Sequence, residues 1–299
     1  MSAIQQLITE HLDIWTAADT GPKSGRGRSS ANAAKVYGVS KLRELILELA
    51  VRGKLVPQDA SDEPASELLK RIQAERAKLI AEGKIKKAKS LEPIADEEKP
   101  FELPKGWAWT RLGEVSSYIQ RGKGPAYDDA SDIPVISQKC VRWSGLDLAQ
   151  ARYIDPASLT KYEEIRLLCE GDILWNSTGT GTIGRACVVP KIQSKQILVV
   201  DSHVTVVRTV KLSSHFLWRW IQSPSVQSEI EGSASGSTNQ IELNTGTVIS
   251  HLVPVPPLAE QNRIVAKVDE LMALCDQLEA GHNNATEAHE KLVSHLLGT

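Results

Sequence analysis

The chain has 299 residues, 41% of them apolar, and a formal net charge of -2, a composition that suits a globular protein of up to two domains and excludes a globally basic nucleic-acid binder. No apolar run approaches the ~20 residues needed to cross a bilayer and no signal-peptide core opens the chain, so a cytoplasmic protein with no membrane partner is expected. The four cysteines, Cys140, Cys169, Cys187 and Cys275, are scattered without a C-x-x-C pair, which fits reduced thiols and argues against a bound metal.

Residues 2–18 place Ile4, Leu7, Ile8, Leu12 and Trp15 at helical spacing. The Gly-, Ser- and Arg-rich stretch at 20–35 reads as a solvated loop in spite of Arg26 and Arg28. A second helix carries Leu42, Leu45, Ile46 and Leu49 on one face and ends at Gly53. A third starts near Ser61 or Asp62, with Pro64 in its first turn, and runs through Leu68, Leu69 and Ile72 to Gly83. Residues 84–100 form a charged, Pro-bounded linker. From 101 to 210 short apolar or alternating runs read as strands: TRLGEVSSYI, IPVIS, DILWN, GRACVVP and ILVVDSHVTVVRTV. Helix returns at 214–231 in two pieces, with Pro224 opening the second, followed by the loop GSASGSTNQ and a strand near 248–255. The fold class is therefore α+β. An N-terminal helical arm and linker occupies 1–100, one mixed, β-rich domain 101–257, and a long C-terminal helix 258–299.

That last helix follows VPVPP and bears an unbroken 4-3-4-3 stripe of Ile264, Val268, Leu271, Cys275, Leu278, His282, Ala285, His289, Leu292 and Leu296. Such spacing forms the narrow seam of a coiled coil, so the helix needs a partner helix. At ~1.5 Å per residue the stripe spans about 50 Å, the reach of a spacer. His282 and His289 are read as seam residues that set register, and Cys275 as a small hydrophobe. Either a second copy of the chain or the arm at 41–83 could supply the partner.

GTGTIG at 179–184 matches the dinucleotide fingerprint G-x-G-x-x-G and follows a strand. A helix has to begin at those glycines to meet a pyrophosphate, whereas RACVVP is β-branched and closed by Pro190. Gly179, Gly181 and Gly184 are accordingly turn glycines between strands. A phosphate-binding G-x-x-x-x-G-K-[ST] loop is absent, as is the N-P-P-[FYW] motif of adenine methyltransferases. Glu97, Glu98 and Lys99 mimic a nuclease E-x-K but stand in the linker. No catalytic residue is assigned.

Polar and basic loop chemistry remains. Arg121 and Lys123 follow the first long strand, Lys139 and Arg142 follow IPVIS, and Asn176, Thr178 and Arg185 flank the glycine turn. Ser237, Thr238, Asn239 and Gln240 fill the late loop. Arg and Lys can bond guanine and phosphate, and Asn and Gln adenine, so although each residue taken singly reads as a solvated loop position, the recurrence of these eleven in loops of one domain suggests a candidate DNA-binding set.

Five strings in order, KLRELILELAVRGKLVPQ at 41–58, LPKGWAWTRLGEV at 103–115, GDILWNSTGTGTIGR at 171–185, GSTNQIEL at 236–243 and VPVPPLAEQNRIVAKVDEL at 253–271, closely resemble the DNA specificity (S) subunit of type I restriction-modification systems. The resemblance covers nearly the whole chain. It implies a non-catalytic subunit whose domain at about 103–257 reads a short half-site in double-stranded DNA. It implies helices that act as spacers and dock modification subunits. Those partners would bind S-adenosylmethionine and methylate adenine, and a restriction subunit would use ATP and Mg; this chain itself would bind no cofactor. Family members usually carry two recognition domains, so this chain resembles a half-size form, expected to pair with a second copy and read an inverted repeat. The alternatives are a coiled-coil scaffold whose β-rich domain binds protein and, from another class, a nicotinamide-dependent oxidoreductase.

Overall fold

The computed structural model describes residues 10, 15, 36–87, 89–179, 181–193, 196–234 and 242–297. Most of the helix expected at 2–18, the loop at 20–35 and residues 235–241 lie outside them. The described residues form helices and short strands in one α+β arrangement that ends in a long helix.

Helix α1 (Tyr37–Val51) buries Val39, Leu42, Ile46, Leu47 and Ala50, the apolar face that its 3-4 spacing creates. Gly53 ends the helix with a φ of 65°, and a Cβ there would strike the Pro104 ring, so only glycine fits this turn. Helix α2 (Ala65–Ala81) begins after Pro64 and buries Ala65, Leu68 and Ile72 in the same apolar cluster as Trp175 and Leu217. The arm is thus packed on the β-rich part.

The charged linker is held down by one side chain. Arg111, 7% exposed, donates to the carbonyls of Glu92 (2.9 Å) and Ser250 (3.0 Å) and to both oxygens of Glu98 (2.9 and 3.0 Å). A buried guanidinium requires such partners, and the linker supplies them.

Strands β1 (Ala108–Arg111) and β2 (Ser116–Arg121) are separated by a 3-10 turn, Leu112–Glu114, which sends them into different sheets. Next come β3 (Pro134–Ile136), the hairpin of β4 (Val141–Arg142) and β5 (Gly145–Leu146), and then β6 (Arg152–Tyr153), β7 (Ile173–Asn176), β8 (Ala186–Val188), β9 (Val199–Val200) and β10 (Val204–Thr209). The central sheet is antiparallel, in the order β2-β10-β7-β8; a smaller one runs β6-β3-β9. Both faces of β7 are buried: Ile173 and Trp175 point into the cluster under helices α3 (Ser214–Gln222) and α4 (Pro224–Ala234), and Leu174 into the opposite one.

The strand expected near 248–255 is a helix followed by a strand. Asn244 caps Thr247 N–H at 2.8 Å to start α5 (Thr245–Ser250), and only β11 (Leu252–Val255) is extended, antiparallel to β1. A capping side chain outcompeted the β-branched propensity of Thr247, Val248 and Ile249.

The terminal helix α6 (Leu258–Leu297) has 40 residues, about 60 Å at ~1.5 Å each. Its first half is sealed within the chain: Ile264, Val268, Leu271 and Cys275 are fully buried against Val39, Leu42 and Ile46 of α1, with Trp107 and Phe216. Arg43 of α1 pairs with Asp276 (2.6 Å) and Glu279 (2.8 Å), where the cover ends. Leu278 and His282 are half-buried, Ala285 and His289 are exposed, and Leu292 is 58% exposed. Leu296 lies on the final turn. Of the two partners that the stripe allows, α1 therefore takes the proximal half; among the described residues none seals the stripe from Ala285 onward.

Candidate nucleic-acid interface

The candidate site is built where β2 and β7 end and β10 begins. Asn176 pairs with Val204 across the sheet, and the chain leaves β7 through a turn that the glycines make possible. Gly179, Gly181 and Gly184 have φ of 101°, 74° and 81°, and Gly184 N–H closes the turn on the Asn176 carbonyl at 3.0 Å. A Cβ on Gly179 would lie 2.7 Å from Gln138 Oε1 and would also strike the Thr182 hydroxyl. The turn runs directly into β8, so no helix N-terminus faces the glycines as a pyrophosphate site requires.

Beneath the turn, Asn176 is fully buried; its Nδ2 donates to the Gln138 carbonyl at 3.1 Å, while its Oδ1 has no partner. It therefore ties the glycine turn to the 137–140 turn from below. Ser177 shares a hydrogen bond with Thr205 at 2.5 Å, its N–H donates to the His203 carbonyl, and its carbonyl accepts from Leu243 N–H. Above this floor, Thr178 meets His203 Nδ1 at 2.8 Å. Arg185 reaches the Gly181 carbonyl at 3.2 Å, and burial, then the neighbouring Arg142, lowers its pKa. Arg142 stands 3.9 Å from Asp147, and Lys139 is exposed beside it.

The edge at the end of β2 adds two more cations. Arg121 pairs with Glu242, which stands where the chain returns from 235–241. Lys123 Nζ donates to the Lys161 carbonyl at 2.6 Å. Between them Gly122 packs so closely on the carbonyls of Val200 and Asp201 that a side chain has no room. Behind this edge Asp201 is buried, which raises its carboxyl pKa although it accepts His203 N–H at 2.9 Å. The Tyr162 hydroxyl donates to the Lys123 carbonyl at 2.8 Å, and burial pushes its pKa up to about 12.

Asn176, Thr178, Arg185, Arg142 and Lys139 thus meet around one turn, with Arg121 and Lys123 on the adjoining strand edge. Ser237, Thr238, Asn239 and Gln240 lie outside the described residues. Sequence reasoning did not single out Gln138, His203 or Glu242. His203 had a readable signal, a D-S-H break between two apolar runs, whereas Gln138 had none.

The site is also fixed to the long helix. Gln261, fully buried, accepts Ser213 N–H at 3.0 Å and donates to the Pro256 carbonyl at 2.9 Å. Glu260, 1% exposed, accepts the Trp107 indole N–H at 3.0 Å, while its other oxygen is buried without a partner; burial raises its pKa. Arg219 pairs with Asp269 and Arg263 with Asp62, both at 2.5 Å. Among the described residues no group of three or more His, Cys, Asp or Glu could hold a metal ion, and no helix is long and apolar enough to cross a membrane.

Residues 104–288 match the family model described as the type I restriction modification DNA specificity domain. The chain is 37% identical to the Escherichia coli type I restriction enzyme EcoEI specificity subunit, over 99% of this chain and 50% of that protein. Against the Escherichia coli EcoAI specificity subunit it is 38% identical, with the same coverage of each. The chain spans about half the length of these curated relatives. A solved structure titled for complex assembly and conformational transition of the type I R-M system shares the fold, with a TM-score of 0.53 and 18% identity over 87% of this chain and 56% of that one.

Proposed function

The chain belongs to the type I restriction-modification DNA specificity family, and from that premise we propose that it is a non-catalytic DNA reader whose domain at 101–257 recognises one short half-site. The observation that carries this reading is the convergence of Arg121, Lys123, Lys139, Arg142, Thr178 and Arg185, from three separate stretches of sequence, on one end of the central sheet. Cations there neutralise phosphates and release counterions, which gives affinity without sequence information. Specificity then comes from side chains that reach base edges in the major groove. Asn176 braces this surface, and Ser237, Thr238, Asn239 and Gln240 stay in the proposed DNA-contacting set by their side-chain chemistry alone.

In this reading two copies pair through the distal part of the α6 stripe, beyond the cover of α1, restoring the two-reader arrangement with an inverted-repeat target. The helices at either end of the domain also dock the modification subunits. The S-adenosylmethionine is bound by those subunits, and ATP and Mg by a restriction subunit, in the cytoplasm.

Methylation mapping in a host that expresses the chain with its modification subunit tests the proposal. An inverted repeat of one half-site is expected; an asymmetric bipartite motif overturns the pairing of two copies, and random DNA left unbound at low salt overturns DNA recognition in favour of a protein-binding scaffold. Replacing Lys139 or Arg185 by Ala lowers the salt dependence of binding by about one phosphate's worth of slope if that residue contacts phosphate.

A further inference from the structure

We propose that Trp143 is a stacking wedge, inserting its indole against a base step of the bound duplex while Lys139, Arg142 and Arg185 hold the neighbouring phosphates. The inference rests on the DNA-recognition reading above and assigns a residue that neither the motifs nor that reading used.

Tryptophan is normally buried for most of its surface, and this chain follows the rule elsewhere. Trp107, Trp175, Trp218 and Trp220 are buried and Trp15 and Trp109 half-buried; Trp143 alone of the seven is exposed, at 37%. It stands at the tip of the β4–β5 hairpin, directly after Arg142. The hairpin beneath it is pinned. Val141 is fully buried, Arg142 pairs with Gly145, and Gly145 takes the tight corner with a φ of 129°. On the helical side, Gln222 Nε2 donates to the Trp143 carbonyl at 3.3 Å. A large apolar ring is therefore projected from a backbone already fixed, so ordering it on a ligand costs little.

The surroundings select the ligand. Arg142 is close enough to lower the pKa of Arg185, and the carboxylate paired with it among the described residues, Asp147, is at 3.9 Å, beyond hydrogen-bonding distance. An aromatic ring among under-neutralised cations fits a polyanion that also offers π faces. Apolar wedges of this kind part a base step and kink the duplex, and the step that yields most readily is a pyrimidine–purine one. Trp143 would thus read deformability, with base identity left to the loops around Gly179.

The test uses the full chain assembled with its modification subunit and a duplex of the mapped site, with 2-aminopurine placed in turn at steps other than the methylated adenine. Trp143→Ala is expected to weaken binding about tenfold and Trp143→Phe by less than about threefold, since an aromatic face is what stacks. A fluorescence rise at one step should appear with the parent chain and with Trp143→Phe and vanish with Trp143→Ala. Arg142→Ala should weaken binding and flatten its salt dependence yet keep the rise. Parent-like affinity and an unchanged rise for Trp143→Ala overturn the wedge, and so does failure of that variant to assemble with the modification subunit, which makes Trp143 a protein contact. Failure of the unaltered chain to bind any duplex overturns the DNA-recognition reading itself.

Discussion

The two halves of the terminal helix carry one repeating pattern and meet opposite fates. From Ile264 to Cys275 the stripe is fully buried; from Ala285 to Leu292 it is open. The cause is length: α1 has 15 residues, about 22 Å, against about 60 Å for α6, and Arg43 marks the point where its cover gives out at Glu279. A 4-3 seam states that a helix needs a neighbour without stating which one, and here a neighbour in the same chain seals only the proximal half of it.

Substitutions on and beside the helix put that contrast to the test, the first pair carrying the largest expected difference. Leu271→Ala removes a wholly buried side chain and should destabilise the fold by about 3 kcal/mol, whereas Leu292→Ala, a 58% exposed position, should stay within about 0.5 kcal/mol. Denaturant titration of both variants decides it, and equal losses would erase the distinction between the halves. Trp107→Phe keeps an aromatic ring on Phe216 but leaves Glu260 buried with neither oxygen bonded to tryptophan, at a cost of about 2 kcal/mol in the same titration.

The smallest effect is a pH dependence at the proximal end. Burial raises the Glu260 pKa above its ordinary value of 4.5, so the folded state holds that proton more tightly than the unfolded state does. The contribution to stability is complete below pH 4.5 and is lost as pH rises through the folded-state pKa. Glu260→Gln, which retains an acceptor for Trp107, should flatten that part of the melting-temperature profile while leaving the distal half untouched. An unchanged slope would mean that Glu260 is not the group titrating there.

The candidate site was legible in its local parts. Three closely spaced glycines before a β-branched run predicted a turn between strands, and the positive φ at each is the reason no other residue serves as well. Cations at the ends of apolar runs predicted loop positions for Lys139 and Arg185, while Arg121, expected just after its strand, is the last residue of β2 and pairs with Thr205. The sequence did not reveal that Gln138 lies against Gly179, that Thr178 meets His203, or that Asn176 is buried among them, because these contacts join residues 25 to 41 positions apart through pairing of β7 with β10 and of the turn with β4. Arg111 is a similar case: a charge in a strand looks solvated until the linker closes over it.

Patterns of short period were determined by the chain alone: the α+β order of elements, the turns that demand glycine, and a seam helix that needs a neighbour, because backbone geometry converts spacing into a face within a few residues. The register of β11 on β1, the meeting of three loop stretches at one sheet end, and the point along α6 where α1 stops were decided by tertiary structure. Those depend on how distant segments fill a common volume, and no local period encodes the length at which one helix runs out beside another.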